Sequence, residues 1–112
     1  MRLRVLVMAA GLLWPVSSLS MDETRPPFKS GNQLYEDCTA ALDSHELTFC
    51  MGYVMGLSDS LQTLHLACSP KEVSLTQLTT AIVKYLREHP GSRYDAASNV
   101  AGLVLMKAFP WK

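Results

Sequence analysis

The chain has 112 residues, 48% of them hydrophobic and 18% charged, with ten basic and ten acidic side chains. That length holds one small domain and excludes a catalytic domain joined to a regulatory one. Zero formal net charge removes the basic excess on which phosphate-directed nucleic-acid binding depends.

Met1-Arg2-Leu3-Arg4 is a short basic start, Val5 to Trp14 an uncharged, mostly apolar run, and Ser18 and Ser20 are the small residues a signal peptidase accepts before Met21. This layout predicts a secretory signal peptide over residues 1–20. The run is too short for a membrane anchor, which needs about 20 apolar residues, and no lipobox cysteine lies near the cut. Cleavage removes Arg2 and Arg4, tips the remainder slightly acidic and leaves no membrane segment. Cys38, Cys50 and Cys68 all stay in the exported part, where an oxidising compartment favours a disulfide. Three is an odd number, so one thiol is left over.

Residues 21–30 are polar, carry Pro26-Pro27 and read as a flexible leader. The domain proper is then 31–112, and its pattern is helical with no alternating run long enough for a strand. Helix one is expected over Gly31 to Leu42, with Ser30 as N-cap and Leu34, Cys38 and Ala41 on one face. Helix two starts after Asp43, which forms a capping-box pattern with Glu46. Its apolar face is Cys50, Val54, Leu57, Leu61, Leu64 and Cys68, and Ser69-Pro70 ends it. In helix three Ser74 and Gln77 form a box ahead of Leu75, Leu78, Ile82, Tyr85 and Leu86, and His89-Pro90-Gly91 stops it. Helix four follows a Ser92–Asp95 box and turns Ala97, Val100, Ala101, Val104, Leu105 and Ala108 inward. Four helices with short connections make a small all-α antiparallel bundle.

Helix geometry limits the cysteine pairing. Cys50 and Cys68 on one intact helix lie about 27 Å apart at ~1.5 Å per residue, beyond the roughly 4.4–6.8 Å a disulfide spans. Cys38 and Cys50 stand symmetrically about Ser44, the centre of the turn between helices one and two, and face each other in a hairpin. The expected bridge is Cys38–Cys50, with Cys68 unpaired. Gly52 and Gly56 continue through Ser60 and Thr63 as a small-residue line, which reads as a groove for another helix backbone.

The patterns of enzyme chemistry are mostly absent. His45, His65 and His89 lack the spacing of a metal-binding helix, no cysteines are close enough for zinc, and no phosphate loop or nucleophile elbow occurs. No cofactor is called for. Cys68 lies three residues from His65, but no orienting third group accompanies them. Asp59 is the one acid in the central part of helix two and reads either as a solvated residue or as a partner contact.

Cys50-Met51-Gly52-Tyr53-Val54-Met55-Gly56 with Asp59 resembles the signature of the Rap/Tai family of periplasmic immunity proteins. Gly31-Asn32-Gln33-Leu34-Tyr35 with Cys38, Cys68-Ser69-Pro70 with Gln77, Tyr85 to Pro90, and Ala108-Phe109-Pro110 extend the likeness in order along the chain. The resemblance implies a non-catalytic, all-helical periplasmic protein that binds and inhibits a peptidoglycan amidase delivered by type VI secretion. Relatives often act as dimers that occlude the amidase cleft, so a homodimer is implied as well. Family members commonly end Phe-Pro-Cys, which suits a second bridge to the position of Cys68; Trp111 stands there in this chain. The C-terminus should therefore be held less tightly unless Trp111 packs over the same site.

An inhibitor that enters a cleft presents a turn or a helix end. The places for it are the turn with His89, Arg93 and Tyr94, and the polar side of helix two near Asp59. A small periplasmic chaperone or stress-response binding protein is the alternative. An exported hydrolase using Cys68 and His65 ranks third.

Overall fold

Serine starts three of the four helices in the computed structural model, which describes residues 26–112. Helix α1 spans Gly31–Cys38, α2 His45–Thr63, α3 Leu75–Glu88 and α4 Ala97–Ala108, with a 3₁₀ turn over Pro90–Tyr94. The Oγ atoms of Ser30, Ser44 and Ser74 accept from the backbone N–H of Gln33, Leu47 and Gln77 at 3.2, 3.1 and 3.1 Å. Gln33 and Gln77 return the bond to the capping serine's own N–H, so α1 and α3 carry complete capping boxes. The signal peptide expected over residues 1–20, and residues 21–25 of the expected leader, lie outside the described residues.

Two expected caps move. Asp43 has φ 66°, a left-handed conformation incompatible with the extended backbone of an N-cap, and Ser44 (φ −80°, ψ 154°) takes that role. Helix α4 has no side-chain cap: Ala96 is the capping residue, and the N–H of Ala97 is satisfied by the Lys29 carbonyl at 2.9 Å. Asp95 instead closes the 3₁₀ turn, its N–H bonded to the Ser92 carbonyl, and accepts from Gly31 N–H at 2.7 Å. Lys29 and Ser30 are thereby tied to the bundle, Ser30 through an isolated bridge to Ala96 and Lys29 through an ion pair with Asp37.

Helices α1 and α2 are shorter than their apolar patterns suggested. α1 ends at Cys38, where Thr39 turns its hydroxyl onto the Tyr35 carbonyl at 2.7 Å, and Ala41 is exposed in the following loop. α2 ends at Thr63. His65 N–H bonds the Gln62 carbonyl and Leu66 N–H the Leu61 carbonyl, with His65 left-handed at φ 59° between them. This is a Schellman motif with histidine at the position that glycine usually fills. Leu64 is accordingly exposed, and Cys68 sits beyond the helix, half-buried and free.

The core runs between the inner faces of all four helices. Leu34, Cys50, Val54, Ile82, Leu86, Ala97, Ala101 and Leu105 are almost fully enclosed. Cys38 and Cys50 are joined, with Cα atoms 5.1 Å apart, so α1 is fastened to the second turn of α2. A bridge of this kind contributes about 2–4 kcal/mol. Among the described residues Gly52 and Gly56 serve no contact: both are exposed, and a Cβ at either would meet nothing within 4 Å there. No helix among the described residues is long and apolar enough to cross a membrane.

The C-terminus is held without a second bridge. Cys68 N–H donates to the Phe109 carbonyl at 2.8 Å, and Ala67 pairs with Pro110 in an isolated bridge. Trp111 then stacks on the His65 ring, with centroids 4.3 Å apart.

Candidate functional site

The 3₁₀ turn after α3 owes its shape to Pro90. Proline has no N–H, so the helical bond from residue 90 to the Leu86 carbonyl cannot form. Arg93 fills the gap, its Nε donating to the Leu86 oxygen at 2.9 Å. The same guanidinium lies 4.0 Å from the centre of the Tyr35 ring, fixing the turn to α1 as well as to α3. The Arg87 guanidinium on the Tyr35 hydroxyl, aided by the charge of Arg93, lowers the phenol's pKa from its ordinary value.

Gly31 is the floor beneath this turn. A Cβ there would lie 2.9 Å from the Ser92 carbonyl oxygen and 3.0 Å from Arg93 Cα. Only a residue without a side chain lets the turn settle on the start of α1. This requirement is invisible along the sequence, where Gly31 reads as an ordinary first helical residue.

Three of the four expected contact residues are thus brought together, with unequal freedom. His89 is the C-cap of α3; its ring stacks on Tyr85 with centroids 4.0 Å apart, and its Nδ1 lies 2.9 Å from the Tyr85 carbonyl. Arg93 is half-buried and committed to the fold. Tyr94 is 89% exposed, an aromatic side chain projected from a braced turn. Asp59 stands apart on α2, exposed beside a cavity of about 390 Å³ shared with Gln62, Thr63, His65 and Trp111.

Among the described residues no three histidine, cysteine or acidic side chains are grouped to hold a metal ion. His65 is engaged with Trp111 rather than with Cys68. The structure offers instead a protruding, pre-shaped aromatic turn, an arrangement suited to entering a concavity on another protein.

No curated protein matches the chain. A family profile described as Rap1a immunity proteins matches residues 30–110, from the α1 cap to the proline before Trp111. With the four described helices, their three serine caps and the Tyr94 turn all inside that span, the chain belongs to the Rap1a immunity protein family.

Proposed function

We propose that this protein is a periplasmic immunity protein that binds and inhibits a peptidoglycan amidase delivered by type VI secretion. The carrying observation is the turn over Pro90–Tyr94, locked by Arg93 and Gly31 with Tyr94 left fully outward. A rigid aromatic finger can occupy an enzyme cleft with little ordering penalty on binding. The protein supplies no catalysis; it acts by blocking substrate access.

Export supports the same reading. The signal-peptide layout of residues 1–20 and the Cys38–Cys50 bridge both suit the periplasm, where an amidase attacks the wall. The homodimer that relatives form belongs to this proposal too. The outer face of α2, where Gly52 and Gly56 leave room for a close backbone, is the face available for it.

The deciding experiment is capture with the tagged protein from periplasmic and secreted fractions, read by mass spectrometry and followed by a wall-hydrolysis assay. One amidase enriched near equimolar ratio and silenced on binding is the expected result. A broad range of unfolded clients, with no single inhibited enzyme, would establish the chaperone alternative in its place.

A further inference from the structure

On the side of the bundle beside the disulfide, the α1–α2 loop, the start of α2 and α3 enclose an open groove of about 640 Å³. Leu47, Met51 and Val83 supply its apolar surface, and Leu42 stands at its edge 85% exposed. Thr79 and Thr80 line it with hydroxyls already bonded to the carbonyls of Leu75 and Thr76, so they contribute mainly methyl surface. Among the described residues, the only charged side chains lining the groove are Lys84 and Arg87, both cations. The Lys84 side chain makes no ion pair or hydrogen bond among the described residues.

The loop along this groove carries unspent backbone capacity. Neither backbone group of Leu42 is hydrogen-bonded among the described residues, and the Ala40 carbonyl is likewise unpaired there. An acyl chain has no use for such groups, whereas an extended peptide pairs with them while its side chains enter the apolar floor. The absence of any lining carboxylate fixes the sign of the partner's charge.

We infer that this groove binds an extended segment of a partner protein in which apolar side chains alternate with carboxylates. Its apolar residues lie against Leu47, Met51 and Val83, and its carboxylates meet Lys84 and Arg87. The groove shares no residue with the Tyr94 turn, so the inference does not depend on what that turn inhibits.

The test is a nuclear magnetic resonance titration of the isotope-labelled protein with an acetylated peptide of alternating glutamate and leucine, about eight residues long. The matched lysine–leucine peptide and sodium decanoate serve as comparisons. Saturable shifts at Leu42, Met51 and Val83 are expected from the glutamate peptide, with the lysine peptide at least about tenfold weaker. Lys84→Glu should reverse that preference, and Leu42→Asp should weaken the glutamate peptide about tenfold. Both positions are exposed, and unchanged dispersion elsewhere in the spectrum confirms the fold. Equal binding of the two peptides, shifts confined to other surfaces, absence of saturation, or tighter binding of decanoate than of the glutamate peptide would each overturn the inference.

Discussion

Arg93 Nε donates to the Leu86 carbonyl at 2.9 Å, and in doing so replaces the donor that Pro90 lacks. The proline that ends α3 and the arginine three residues later are therefore one device. Arg93→Met should destabilise the fold by about 1–3 kcal/mol, from an acceptor left without its partner and a lost contact with Tyr35. Adding Pro90→Ala returns an N–H near Leu86, so the arginine substitution should cost less in that background. Urea unfolding of the two single variants and the double variant measures the coupling; strictly additive changes would argue against the device.

Gly31→Ala sets two effects against each other. At an open helical position alanine gains about 1 kcal/mol over glycine. Here the new methyl meets backbone atoms of Ser92 and Arg93 at 2.9 and 3.0 Å, which cannot rotate aside. The clash should win, lowering stability by about 1–3 kcal/mol. A rise in thermal midpoint would show that the turn yields easily.

The histidine at position 65 shows where sequence patterns stop being sufficient. Leu61, Leu64 and Cys68 continue the helical spacing of α2, and the first visible breaker is Pro70. Yet the chain reverses at His65, in a left-handed conformation that histidine adopts less readily than glycine. Caps were far more legible: Ser30 and Ser74 were both expected as N-caps, and the Gln77 partner was read directly from its spacing. The disulfide was legible for a similar local reason, since a short turn centred near Ser44 brings residues equally distant from it together. Gly31 and Arg93 were harder, because each acts across a contact whose partner lies far off or on another element.

Tyr94→Ala separates binding from folding. The side chain is 89% exposed, so stability should change by no more than about 0.5 kcal/mol. Affinity for the proposed amidase target should fall by at least about 2 kcal/mol, as for a central aromatic anchor. Isothermal titration calorimetry with the captured enzyme decides this; affinity within about threefold of the parent would move the contact elsewhere.

Tyr35 gives the fold a signature at alkaline pH. The Arg87 guanidinium lowers its folded pKa below the unfolded value, so the group adds stability above the unfolded pKa. That contribution disappears as pH falls through the folded value. Absorbance titration should show the Tyr35 phenol ionising at lower pH in the parent protein than in Arg87→Gln. Coincident titration curves for the two proteins would contradict this assignment.

Trp111→Cys should supply the second bridge that the Phe-Pro-Cys ending of family members suits and that Trp111 denies this chain. Cys68 is already drawn to the C-terminal segment through the Phe109 carbonyl. The oxidised variant should lose its free thiol and gain about 2–4 kcal/mol, set against the lost stacking on His65. Thiol counting under denaturing conditions, before and after reduction, reads the result directly; a second free thiol would mean that the two sulfurs do not meet.

The Cys38–Cys50 bridge joins the first two cysteines in chain order, with the spare thiol coming third. For a chain oxidised as it emerges N-terminus first, the earliest pair of thiols to coexist outside the membrane is already the native pair. In that order of emergence Cys68 arrives third, after the two native partners are already present together. Such an order favours the native link over the two that would involve Cys68.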